Sequence, residues 1–429
     1  MNSESQILLQ QVTILDPVAK TDQISDVLIA EGTIKAIEPH LTDIPQQTTI
    51  LDARGLILGP GLVDLYSHTG EPGHEERETL LTLAEAAAAG GFTRITILPD
   101  TIPPIDNSAV LTSLHLKQQQ IRSEIDSTAS PHLYFWGSLT VGIEGQQMTE
   151  LADLATAGVI GFADGYPIEN LGLLRQLLEY IKPLNKPVAL VSVNRDLKGN
   201  GVMREGEASI RFGLPGNPAV SEAAAIAAIL EIVAATDTPI HLMQVSTTRG
   251  VELIANAKAR GLPVTASTTW MHLLLNSDAI DSYDPSLRLE PPLGNEADML
   301  ALIDGVQQGV IDAIAVANTP YTYEEKTVAF AEAPPGAIGL ELVLPLLWQR
   351  FVATGQWSAI QLWRSLSVAP LLCLHQQPKS CICGQTAELL LFDPKQTWTA
   401  NQSTLKSRCT NTPWLGKQIV GRVVKIWNS

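Results

Sequence analysis

The residues of this chain best suited to chemistry stand in Asp64-Leu65-Tyr66-Ser67-His68. Side chains two apart on a strand project the same way, so imidazoles at positions 66 and 68 would grip one cation. The first of these is Tyr66, which leaves His68 as the ligand candidate in the segment. A lone histidine at a strand end is also the ordinary pattern of a hydrogen-bonded side chain with no metal, and both readings stand at this point. Asp164 is a further acidic residue suited to chemistry. Together with Asp100 and Glu290 it would form an acidic pocket in which mutual repulsion raises the carboxyl pKa values, unless all three are solvated loop carboxylates. The cysteines Cys373, Cys381, Cys383 and Cys409 fall late in the chain. Cys381-Ile382-Cys383 lacks a further Cys or His at zinc-finger spacing, so ordinary reduced thiols are expected.

Residues 6–58 alternate apolar and polar in short runs such as Ile34-Lys35-Ala36-Ile37, which predicts antiparallel strands. The texture returns in 387–392 and 421–426, so the two ends are expected to pair into one β-rich domain. Between them, strand-like runs at 93–98, 159–162, 187–193, 239–245, 263–266 and 313–316 alternate with helical runs, including the Ala-rich 80–89 and 221–235. Such alternation implies a parallel sheet flanked by helices, for which an eight-stranded barrel is the commonest solution at this length. The expected fold is therefore α/β, a (β/α)8 TIM-like barrel over residues 59–375 with a small β-sandwich domain built from 1–58 and 376–429.

The chain has 429 residues, 45% of them hydrophobic and 17% charged, enough for a large core and a satellite. A net charge of −17 leaves no electrostatic footprint for nucleic acid and would repel an acidic membrane surface or an anionic substrate unless arginines intervene. Residues 1–12 lack a basic-then-apolar leader pattern, and the most apolar helical run, 223–235, is interrupted by Glu231 and is too short for a membrane span. A cytoplasmic protein is expected.

Gly59-Pro60-Gly61-Leu62-Val63-Asp64-Leu65, then Glu71-Pro72-Gly73, then Ala86-Ala87-Ala88-Ala89-Gly90-Gly91-Phe92-Thr93 resembles the start of a bacterial dihydroorotase of the amidohydrolase superfamily. Gly201-Val202-Met203-Arg204-Glu205-Gly206-Glu207, Val245-Ser246-Thr247, Pro291-Pro292-Leu293 and Asn411-Thr412-Pro413 continue the likeness in order through essentially the whole chain. The resemblance implies two zinc ions held by four histidines and an aspartate, with a further aspartate as general base or acid. Matched position by position, the histidines fall at Tyr66, His68, Val191 and Gln244, and the catalytic aspartate at Ala317, followed by Asn318. His241 matches a neighbouring histidine that is not expected to bind metal. The aspartate ligand is matched by Asp164, where the family usually has two consecutive aspartates, and no lysine lies between Pro131 and Asn170 to form a carboxylated bridge.

Substrate contacts implied by the resemblance differ in parallel. The arginine that pairs with the substrate carboxylate is Gly70, an asparagine contact is Asp100, and the Asn and Arg flanking Pro-Pro-Leu are Glu290 and Gly294. Exchanging charge-assisted donors for glycine and carboxylates makes a pocket that should reject dihydroorotate. Trp270 and Trp363 are expected to fill the space vacated at the mouth.

The expected function is a non-catalytic scaffold or regulatory subunit in pyrimidine biosynthesis, with no cofactor. The resemblance to inactive homologues implies a protein partner, with aspartate transcarbamoylase as the candidate, and a homo-oligomer. The alternative is an active dihydroorotase or related cyclic amidase with one zinc held by His68, Asp164 and Asp100. A third reading is a sensor that binds a neutral or cationic small molecule in the old pocket.

Overall fold

The computed structural model describes residues 6–124 and 130–428. Parallel pairing joins Leu62–Ser67, Phe92–Ile97 and His132–Phe135 into one set of strands. A second parallel set joins Ala189–Val191, Ile240–Met243, Val264–Thr269 and Ala313–Ala315. Single bridges from Phe162 to Gly137 and to Val188 supply the position between the two sets. On the other side the ring closes through Asp64, whose carboxylate accepts the Val316 N–H at 2.8 Å, and through the His68 N–H, which donates to the Asn318 carbonyl at 2.8 Å. This is the barrel expected from the alternation of strands and helices.

The helix Leu80–Gly90 illustrates how local sequence builds each unit. Thr79 caps it by accepting the Thr82 N–H, and Gly91 ends it at φ 88, a left-handed conformation that glycine adopts without a Cβ clash. Leu80, Leu83, Ala84 and Ala87 form its buried face. Small residues are needed here because the barrel is close, and a Cβ at Gly90 would overlap the Leu340 carbonyl.

Both chain ends meet in one seven-stranded sheet. Ile7–Asp16 pairs antiparallel with Thr21–Ala30 and parallel with Thr49–Asp52 and Ile57–Pro60. Glu388–Thr399 lies antiparallel to Ile57–Pro60, and Gln418–Asn428 follows it. Alternate residues, among them Leu9, Val27, Ile29, Leu389 and Leu391, form a core of their own. Arg94 of the barrel grips Glu388 of this sheet with a two-pronged contact, Nε to Oε1 at 2.6 Å and Nη2 to Oε2 at 2.7 Å.

Trp363 corrects one expectation. It is buried away from the barrel mouth, where its indole N–H donates to the Pro60 carbonyl at 2.8 Å and its ring meets Trp348 edge-on. Gly59 makes room for it, since a Cβ there would stand 2.5 Å from the indole nitrogen. The four cysteines are free, with Cys381 buried and Cys383 exposed. Among the described residues no helix is long and apolar enough to cross a membrane.

Candidate functional site

The strand Leu62–Ser67 is buried along its whole length and brings Tyr66 into the barrel interior. The Tyr66 hydroxyl accepts the Gln244 N–H at 3.1 Å and lies 2.5 Å from Ser267 Oγ. Ser267 Oγ is 2.8 Å from His241 Nε2, His241 Nδ1 is 2.9 Å from Thr265 Oγ1, and Thr265 donates to the Ile240 carbonyl. Burial holds His241 neutral by lowering its pKa to about 3. With one ring proton the chain has one consistent polarity: Tyr66 donates to Ser267, Ser267 to His241, and His241 to Thr265. Every member is satisfied, and both His241 nitrogens are used. Burial likewise raises the Asp64 pKa, to about 7, although Ser67 Oγ and the Val316 N–H donate to its carboxylate.

His68 ends the same strand segment and meets Asp100 from the next strand end, Nδ1 to Oδ2 at 2.6 Å. Burial opposes charge on both groups, but their mutual attraction outweighs it, so the His68 pKa is raised and the Asp100 pKa lowered. This corrects the expectation of an Asp100 pKa raised by like charges. Glu290 faces the same cavity but forms an ion pair with Lys198 at 2.5 Å, with Arg288 at 3.8 Å. Asp164 does not line the cavity. Its Oδ1 accepts the Leu139 and Thr140 N–H groups at 2.7 and 3.1 Å and its Oδ2 accepts Thr140 Oγ1 at 2.6 Å. Its pKa is raised by burial, against those hydrogen bonds. The three carboxylates thus share no acidic pocket.

The cavity at the mouth measures about 440 Å³. Val191, Gln244 and Ala317 line it from three strand ends, the last two in left-handed backbone at φ 54 and φ 53. Asn318 sits behind the wall and accepts the Gly339 N–H at 2.9 Å. Gly70 lies in a turn so tight that a Cβ would overlap the His74 carbonyl, so no long side chain can start there. Gly294 is outside the cavity, packed on Asp298. Trp270 does fill space at the mouth, with its ring 4.9 Å from that of Trp414 and over Gly339.

Zinc needs three or four nitrogen, sulfur or carboxylate ligands. Here His68 is engaged by Asp100, Asp164 by Leu139 and Thr140, and His241 by Ser267 and Thr265. Among the described residues no group of three or more His, Cys, Asp or Glu could hold an ion, so these residues do not fit a zinc pair. Sequence reasoning missed Ser267, Arg77, Lys198, Tyr166 and Tyr321. Strand alternation offers a signal for Ser267, because Thr265 and Ser267 share a face with each other. Arg77 lines the cavity and is bound by Glu325, Nη2 to Oε1 at 2.6 Å, with its guanidinium 5.0 Å from the Tyr321 ring centre.

A family model described as Dihydro-orotase-like matches residues 55–249. The chain is 46% identical over 441 residues to a probable dihydroorotase-like protein of Synechocystis sp., covering 98% of each chain. It is 35% identical over 416 residues to a dihydroorotase of Geobacter metallireducens, covering 97% of this chain and 96% of that one. Among solved structures, an L-hydantoinase (dihydropyrimidinase) from Arthrobacter aurescens superposes with a TM-score of 0.84 at 21% identity, covering 99% of this chain and 95% of that one. A dihydropyrimidinase from Brevibacillus agri gives 0.78 at 20% identity over 99% and 94%. At that identity the two structures speak for the fold alone.

Proposed function

The chain belongs to the dihydroorotase-like family, and we propose that it is a non-catalytic member, a scaffold or regulatory subunit in pyrimidine biosynthesis. The observation that carries this reading is the phenol of Tyr66, bonded to Ser267 and Gln244 where an imidazole would face a cation. Zinc lowers the pKa of bound water from about 15.7 to about 7, worth roughly 12 kcal/mol toward hydroxide. No side chain at this mouth supplies an equivalent, and Ala317 has no acid to move a proton.

A cytoplasmic homo-oligomer that needs no cofactor and binds aspartate transcarbamoylase is the form this role takes, on the strength of the resemblance to inactive homologues. The competing reading, a cyclic amidase using one metal on His68, Asp164 and Asp100, requires Asp164 to release three hydrogen bonds and cross into the cavity. The test is purification without chelator, followed by zinc analysis and a dihydroorotate turnover assay. Zinc far below one ion per chain and no turnover support the proposal, and stoichiometric zinc with turnover overturns it. Aspartate transcarbamoylase is expected to co-purify from the source cell, and its absence removes that partner.

A further inference from the structure

Losing a metal leaves open what the mouth cavity is for. At about 440 Å³ it falls in the range of small-molecule sites, roughly 300–1,000 Å³. One part of its wall is apolar, made by Leu98, Val191, Met243 and Ala317. Another part offers neutral polar groups that bond to no other described side chain, the Gln244 amide and the hydroxyls of Tyr166 and Tyr321. Two cations lie near the Tyr321 ring, Arg77 at 5.0 Å and Lys326 at 5.2 Å from its centre.

The cations in the wall are already matched, while Glu222 is held by hydrogen bonds alone and Glu290 Oε1 has no partner among the described residues. His68 pairs with Asp100 at 2.6 Å, Lys198 with Glu290 at 2.5 Å, and Arg77 with Glu325 at 2.6 Å. The Glu222 carboxylate accepts the N–H groups of Ser246 and Thr247 at 3.0 Å each. Arg195 stands at the rim, half exposed and 4.0 Å from Glu169, where solvent screens it. An anionic ligand entering this cavity loses its hydration and finds no free cation unless a pair breaks, whereas the unpartnered Glu290 Oε1 is open to a donor N–H. An uncharged ring loses little, gains the apolar wall and can bond to an amide and two hydroxyls.

We infer that the mouth cavity binds an uncharged planar ring compound bearing carbonyl or amide groups, with the Gln244 side chain reading its polar edge. This rests on the non-catalytic reading, and it reverses the ligand charge that the resemblance to dihydroorotases implies.

The test is calorimetric titration of the whole protein with uracil and with orotate, which is the same ring carrying a carboxylate. Uracil is expected to bind, and orotate to bind at least tenfold more weakly. Gln244→Asn, chosen because asparagine tolerates the left-handed backbone at φ 54, is expected to weaken uracil at least fivefold. Val191→Phe, which narrows the cavity, is expected to abolish binding with the melting temperature unchanged. Orotate binding as tightly as uracil, or uracil heat unchanged in both variants, overturns the inference. Absence of uracil binding in protein that also lacks zinc and turnover overturns this inference alone, whereas turnover of dihydroorotate overturns the premise beneath it.

Discussion

Tyr66 gives its phenolic proton to Ser267 across 2.5 Å inside the barrel, and Ser267 in turn donates to His241. The contact converts a strand end suited to a cation into a closed hydrogen-bond chain. Its removal has a definite cost. Tyr66→Phe leaves the Gln244 N–H without its acceptor and Ser267 without its donor, and a buried polar group left unpaired costs about 1–3 kcal/mol. A lower urea midpoint at unchanged slope is expected, and an unchanged midpoint contradicts the proposed chain.

Tyr66→His returns one imidazole beside His68 but does not rebuild the site. Val191 and Ala317 provide no ligand atom, Gln244 provides only a neutral amide, and Asp164 stays bound to Thr140. Equilibrium dialysis against zinc is expected to leave this variant far below one tightly held ion per chain. Stoichiometric uptake would mean that the remaining side chains rearrange more readily than their hydrogen bonds imply.

The His68–Asp100 pair has a pH signature. His68 has a raised pKa, so its contribution to stability is fully present below the ordinary histidine value of about 6.5 and fades as pH rises through the folded value. Asp100 has a lowered pKa, so its contribution is present above the ordinary aspartate value of about 3.9 and fades as pH falls through the folded value. The pair is therefore strongest in the window between. NMR titration is expected to put His68 above the free imidazole, and Asp100→Asn to drop it below, because burial then acts with little opposition. A His68 midpoint unmoved by Asp100→Asn contradicts the pairing.

Asp64 works in the opposite sense to a salt-bridged carboxylate. Its pKa of about 7 means that the folded state holds a proton that the unfolded state has released, so stability falls as pH rises from the ordinary aspartate value toward 7. The slope from one such group reaches about 1.4 kcal/mol per pH unit. Asp64→Asn keeps an acceptor for the Val316 N–H and is expected to flatten the dependence between those limits. A pH–stability profile identical to that of the natural protein would show that Asp64 is ionised in the fold.

Much of this was legible in the sequence. Alternation in Ile34-Lys35-Ala36-Ile37 and the Ala-rich run into Gly90-Gly91 expose the strand and helix periods directly, and the fold follows from them. Tyr66, Val191, Gln244 and Ala317 stand at the strand ends where the motifs put them. Their partners were not legible. Lys198 meets Glu290 across 92 positions and Thr140 meets Asp164 across 24, and neither separation has a period that a sequence displays. Asp100 and Glu290 therefore read as repelling acids until their cations came into view. Trp363 misled for a similar reason, since only the chain path decides whether a buried indole faces the mouth or the terminal sheet.

The most direct test of the central claim is an anomalous difference map at the zinc edge, from crystals of the natural protein grown in excess zinc. The account predicts no peak between Tyr66, His68 and Asp100, with the phenol still within hydrogen-bond distance of Ser267. Two strong peaks at that mouth, with Tyr66 displaced, would contradict it.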